Sequence, residues 1–301
     1  MANPSPAVSA SSAATLDGPT PSRSRGYWAR TAQRFLTDPV ALLALAVVMG
    51  LFALAVFGPW IAPADPTQSS MLSRLKPIGT DGHPLGTDEL GRDMLSRLIV
   101  GARLSLFMGI TPVVLAFVIG SAIGILAGYA GGVVNTVIMR TIDVFYAFPS
   151  VLLAIALSGA LGAGIGNALL SLTLVFIPPI ARVAESVTTQ VRGRDYVEAA
   201  RASGADAFTI VRVHVLGNVL GPIFVYATSL IAVSMILASG LSFLGLGVRP
   251  PEPEWGLMLN TLRTAIYVQP WVAALPGVMI FITSIAFNLL SDSLRSAMDV
   301  K

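Results

Sequence analysis

Five long stretches of this chain, 39–64, 104–139, 144–181, 213–248 and 264–291, contain no Asp, Glu, Lys or Arg. A helix of some 20 residues rising 1.5 Å per residue crosses the roughly 30 Å hydrocarbon core of a bilayer. Inside that core each backbone N–H and C=O must find its partner within the protein, so apolar crossings of this kind are helical. Composition agrees, with 54% hydrophobic and 12% charged residues against about 25% charged in a typical soluble domain. The expected fold class is therefore an all-α integral membrane protein with six transmembrane helices. The spans are placed at about 39–62, 104–129, 138–159, 167–186, 219–244 and 266–290. Residues 1–38, opening on a Ser-, Ala- and Pro-rich run, read as a largely disordered tail, and 39–301 as the membrane domain.

Several chemistries are excluded. The chain has no cysteine, which removes disulfides and thiolate catalysis, and its two histidines, His83 and His214, stand far apart, so no metal site is expected. Lys76 and Lys301 stand in no Gly-x4-Gly-Lys-Ser/Thr context, so the chain is not its own ATPase. A net charge of +3 spread over loops gives no footprint for nucleic acid. No nucleophile or cofactor motif suggests an enzyme.

Between the apolar stretches, smaller features carry expectations. Gly120, Gly124 and Gly128 recur every four residues and form a helix-packing face. Glu89–Val100 reads as an amphipathic helix on the membrane surface, capped by Asp88 and carrying an Asp93–Arg97 pair. A substrate or metal role for Thr87-Asp-Glu-x2-Arg-Asp93 stays open beside that reading. Arg140 and Asp143, three apart, are expected to pair with each other, and Pro178-Pro179 to kink the fourth span.

The polar run Arg192–Leu216 interrupts the spans and reads as two short helices joined at a glycine. Asp195 is expected to be the N-cap and Glu198 to complete a capping box. Gly204 is expected to close the helix at positive φ, and Asp206 to cap the next one. The first helix is only about eight residues long, too short to persist alone in water. Tyr196, Val197, Ala199, Ala200 and Ser203 give it a narrow face of small residues suited to another protein's groove.

The pattern Glu198-Ala-Ala-x3-Gly204, followed by Ile210 and Asn218-Val-Leu-x-Pro222, resembles the EAA loop of membrane-spanning subunits of binding-protein-dependent ABC importers. Three further stretches are similar to the dipeptide/oligopeptide/nickel branch, and to its C-type permease. They are His83-Pro-Leu-Gly-Thr-Asp-Glu-Leu-Gly-Arg-Asp93 with Arg97 and Gly101-Ala-Arg103; Leu241-Ser-Phe-Leu-Gly-Leu-Gly-Val248 with Pro250-Pro and Trp255-Gly; and Phe287-Asn-Leu-Leu-x-Asp292-x-Leu-Arg295. The chain departs from the pattern at Gly217, where a proline is usual, and at Ala238, where a glutamate is expected.

The resemblance implies a cytoplasmic coupling helix between spans 4 and 5, with Asp195, Tyr196, Val197, Glu198, Ala199, Ala200, Arg201, Gly204 and Asp206 meeting an ATPase. It further implies a sister permease, two ATP-binding subunits and an extracytoplasmic substrate-binding protein. Short peptides are the expected cargo, with nickel or glutathione as alternatives, in the plasma (inner) membrane. An orientation with both termini cytoplasmic leaves most of the 19 basic residues inside. An ion-coupled secondary transporter is disfavoured, because the spans carry none of the charged relays such proteins use.

Overall fold

The computed structural model describes residues 27–298, and every regular element among them is helical. Helix α1 spans Tyr27–Thr37 and α2 Pro39–Ile61, where the Asp38 carboxylate caps the first turn by accepting from the Val40 N–H. Helix α3 (Met94–Ala130) is followed by α4 (Gly132–Tyr146), α5 (Ser150–Leu161) and α6 (Ile165–Arg192). Then come α7 (Asp195–Ala202), α8 (Ala207–Thr209), a π-helical turn at Ile210–Val215, and α9 (Leu216–Phe243). The short α10 (Trp255–Thr261) and the long α11 (Pro270–Met298) complete the chain.

Five of these helices are long and apolar enough to cross a membrane, with α8, the π turn and α9 counting as one. The pair α4 and α5, bent by 86° at Ala147–Pro149, passes the same test when counted as one span, which brings the number to six. Span 3 is thus broken instead of continuous over 138–159. Pro149 explains the break, since it lacks an N–H and disfavours helical geometry at Phe148. Helix α6 contains both Pro178 and Pro179 within its length.

Other expectations are corrected. Of the proposed 1–38 tail, residues 1–26 lie outside the described region, but Tyr27–Thr37 is helical. No separate surface helix covers 89–100: residues 94–100 are the first turns of α3, and 89–93 are not helical. The Asp88 carboxylate instead accepts from the N–H groups of Leu90 and Arg92, both at 2.9 Å, which holds that segment in a turn. Asp93 is the cap that starts α3, accepting from the Ser96 N–H at 2.8 Å. Asp93 pairs with His83 (3.0 Å) and not with Arg97. Asp143 pairs with Arg182 and not with Arg140.

Helix α3 holds the bundle together because it belongs to both apolar clusters. Its second half joins Leu172, Phe176 and Ile180 of α6 and Ile223 of α9. Its first half joins Val48 and Leu51 of α2, Trp255 and Met258 of α10, and Val272 of α11. Along the α3–α6 contact the two helices run parallel. A Cβ on Gly120 would meet the Ile177 carbonyl at 2.9 Å, one on Gly124 would strike the Ala181 carbonyl, and one on Gly128 would meet the Glu185 carbonyl at 2.7 Å. Three successive turns of α3 thus rest directly on three turns of α6 backbone. Arg192, at the end of α6, donates to the carbonyl of Tyr129 at the end of α3 (3.1 Å).

Candidate functional site

The parallel α3–α6 pair defines two ends of the molecule. At one end lie the C-terminal ends of both helices and, two residues beyond α6, the short helix α7. Its N-cap is Arg194, whose side chain makes no capping bond, and Asp195 and Glu198 both fall inside the first turn. The expected capping box is therefore not formed. Arg194 takes that place because its carbonyl accepts from the N–H groups of Val197 (2.9 Å) and Glu198 (3.2 Å). Gly204 does turn at positive φ, +85°, with no atom within 4 Å of where a Cβ would be. Asp206 caps the next turn, accepting from the Phe208 and Thr209 N–H groups. The Thr209 hydroxyl, donating to the Asp206 carboxylate, holds its pKa below the ordinary value, helped by those backbone bonds.

The small-residue face divides in two. Val197 is wholly buried in the chain's own apolar cluster, with Ile210 and Val215 of the π turn, and Ala200 is half-buried against it. The Tyr196 ring lies 6.3 Å from that of His214. The eight-residue helix is thus anchored within its own chain. Asp195, Glu198, Ala199, Arg201, Ser203, Gly204 and Asp206 are exposed, and Tyr196 is 43% exposed. Phe208, which the sequence reading passed over, is 71% exposed. Its signal was an aromatic residue two positions after a helix cap, in the first turn of a short exposed helix. The second helix of this segment, which begins at Ala207, continues past Gly217. It passes through the π turn into α9, so residues 207–243 are one continuous rod.

The other end is closed by residues from four segments. The Arg97 guanidinium, 1% exposed, lies 3.5 Å from the Asp88 carboxylate and donates to the carbonyls of Pro66 (2.8 Å) and Pro251 (3.4 Å). Arg92 completes the cluster at 2.7 Å from Asp88. A guanidinium presents five donors in a rigid fork, which suits joining three loops at one point. Beside it, Trp255 is fully buried and donates its indole N–H to the Leu98 carbonyl at 3.0 Å. Glu254, also missed in the sequence, caps α10 by accepting from Gly256 and Leu257 N–H groups, each at 2.8 Å. Burial outweighs those bonds and pushes its carboxyl pKa up. The 83–103 and 250–256 motifs are therefore two halves of one buried clamp. Of the five charged residues in the Asp88–Arg97 run, Asp88, Arg92, Asp93 and Arg97 are held in these structural bonds and Glu89 accepts from the Thr264 hydroxyl; no group of three or more His, Cys, Asp or Glu able to hold a metal occurs among the described residues.

Family comparison fits this architecture. The model for the inner membrane component of binding-protein-dependent transport systems matches residues 120–301. The chain belongs to this family. A second model, the N-terminal TM domain of oligopeptide transport permease C, matches residues 26–77 of the permease. The permease is 41% identical over 277 residues to the glutathione transport system permease protein GsiD of Pectobacterium atrosepticum, covering 92% of each chain. It is 40% identical over 286 residues to the di/tripeptide transport system permease protein DppC of Pseudomonas aeruginosa, covering 93% of each. Among solved structures, a chain of the inward-facing MetNI methionine ABC transporter superposes with a TM-score of 0.56 at 21% identity. That match covers 68% of the permease and 97% of the MetNI chain, and speaks to fold. The permease is a multi-pass membrane subunit of an ABC importer of the dipeptide/oligopeptide family.

Proposed function

We propose that this subunit forms half of a heteromeric importer for short peptides in the plasma (inner) membrane, with glutathione, itself a small peptide, inside the same cargo class. A sister permease supplies the other half of the path, two ATP-binding subunits hydrolyse ATP, and an extracytoplasmic binding protein delivers cargo. Both termini and the 195–216 segment face the cytoplasm, and the Arg97–Trp255 clamp faces outward. The relatives named for glutathione and for di- and tripeptides support the cargo class. The long uncharged stretches within the spans suit passage of chemically varied peptides, since they offer no fixed ionic partner.

The observation that carries the coupling role is α7 itself. A helix of eight residues, pinned by Val197, presents Tyr196, Ala199 and Ser203 between two spans to which it is joined directly. ATPase subunits that close on this surface would push α6 and α9 together. Gly204→Val tests it. The site has room for the side chain, so the cost is backbone strain alone, about 1–2 kcal/mol. In the reconstituted complex the variant should assemble but lose most of the ATPase stimulation caused by loaded binding protein. Gly204→Asn, which tolerates positive φ, should keep more of it. Full stimulation and uptake in Gly204→Val would reduce the segment to a linker.

A further inference from the structure

The longest uncharged stretch that contains the span-3 break, 144–181, is bracketed in sequence by Asp143 and Arg182. The fold brings the two together: Arg182 donates to the Asp143 carboxylate from across the α4–α6 contact. The same guanidinium lies 5.3 Å from the centroid of the Tyr146 ring, the last residue of α4. One side chain of α6 thereby holds the final turn of α4, directly before the 86° bend. A second tie, from the Asn135 amide to the Glu185 carboxylate at 2.7 Å, fixes the first turn of α4 to the same helix. Beyond the bend α5 begins at Ser150, and its side-chain tie to α6 is at its far end, where the Asn167 amide donates to the carbonyls of Leu161 (2.8 Å) and Gly162 (2.9 Å).

Two more features give this pair a direction of action. The ion pair is half open, with Arg182 47% and Asp143 37% exposed, although both lie on span helices. Charged groups on spans face protein or a water-filled cavity and not hydrocarbon. Next to them is a cavity of ≈ 240 Å³ lined by Phe145, Tyr146, Phe148, Pro178 and Tyr226. It therefore contains residues from α4, from the break, from α6 and from α9. Any change in the angle between α4 and α5 alters it.

We propose that Arg182 and Asp143 are positioning residues for transport: they make α4 travel with α6, so that displacement of the docking helix α7 reaches the break at 147–149 and reshapes the cavity beside it. The proposal rests on the coupling role of α7. It requires no proton transfer and no contact between the pair and cargo.

Because the chain has no cysteine, Phe148→Cys places its single thiol at the break. Maleimide labelling of that thiol in the reconstituted complex is compared in nucleotide-free and ATP-trapped states, alongside uptake per ATP hydrolysed. With Arg182 intact, the labelling rate should change between the two states. Arg182→Gln and Asp143→Asn should each shrink that change and lower uptake per ATP about fivefold. A partly exposed ion pair is worth up to about 1 kcal/mol, which corresponds to that factor. Arg182→Lys, which keeps the charge, should recover at least half of the uptake per ATP. Assembly, read by co-purification of the ATPases, should be unchanged in all three, because the pair lies outside both apolar clusters. Unaltered labelling change and unaltered uptake per ATP in both neutral variants would overturn the proposal. So would a Lys variant as defective as Gln. If the parent complex shows no ATP-dependent uptake, the importer reading itself fails, which is a separate result from a working parent with silent variants.

Discussion

At the scale of single residues, backbone proximity and buried charge decide most outcomes. Gly124 has no room for a methyl group: its Cβ would press on the Ala181 carbonyl and lie 2.6 Å from the Ala184 Cβ. Gly124→Val should therefore cost about 1–3 kcal/mol or more through overpacking, seen as a lower melting temperature of the detergent-solubilised complex. Gly50, in the middle of α2, has nothing within 4 Å, so Gly50→Ala should be neutral or gain up to about 1 kcal/mol. Equal effects at the two positions would mean the α3–α6 contact is not tight. Glu254 gives a pH signature. Its pKa is raised in the folded state, so the protonated form binds its proton more tightly there than in the unfolded chain. The associated stability is full below the ordinary value of 4.5 and is lost as pH rises through the raised value. Melting temperature should fall over that window, and Glu254→Gln should flatten the profile; an equally steep profile in the variant would assign the slope to other groups.

At the scale of elements, spans were legible because freedom from charge over membrane length has few other causes, and α2, α6, α9 and α11 lie close to the stretches read from sequence. What was not legible depended on choices between competing local bonds. Asp88 could start a helix or fold a turn, and its bonds to Leu90 and Arg92 N–H groups decide for the turn. Asp143 could pair with Arg140 on its own helix or with Arg182 thirty-nine positions away, and only the tertiary fold brings in the second. Within the 195–216 segment, the positive φ of Gly204 and the cap at Asp206 were readable because they are local, whereas the burial of Val197 and the exposure of Phe208 depend on what α6 and α9 leave uncovered. The π turn at Ile210–Val215 left no sequence signal at all. It holds one residue more than an α-helical path would, and such turns recur at functional sites. Inserting one alanine between Leu216 and Gly217, in the α-helical part of the joint, should rotate α7 by about 100° relative to the rest of α9, given 3.6 residues per turn. Complex assembly should persist while stimulation of the ATPase by loaded binding protein disappears; retained stimulation would show that the register of this joint is immaterial.

At the scale of the whole molecule, the proposed orientation can be read without fusions. Leu72→Cys, at a position 97% exposed near the clamp end, should label with an impermeant maleimide from outside intact cells, and Phe208→Cys only after the inner face is opened. Labelling on the opposite sides would invert the topology and remove α7 from the ATPases. The parallel seating of Gly120, Gly124 and Gly128 on α6 has one more consequence. Sliding α3 along α6 would have to carry each glycine past a backbone ridge to the next turn, a step of about 5.4 Å, and smaller slips would collide. The two helices therefore behave as a keyed strut. A shove delivered at the Arg192–Tyr129 end arrives at the Arg97–Trp255 end without attenuation along its length. The loops of the clamp end can then be loosened from the α7 end by a rigid push, and compliance is left to the bend between α4 and α5 and to the π turn.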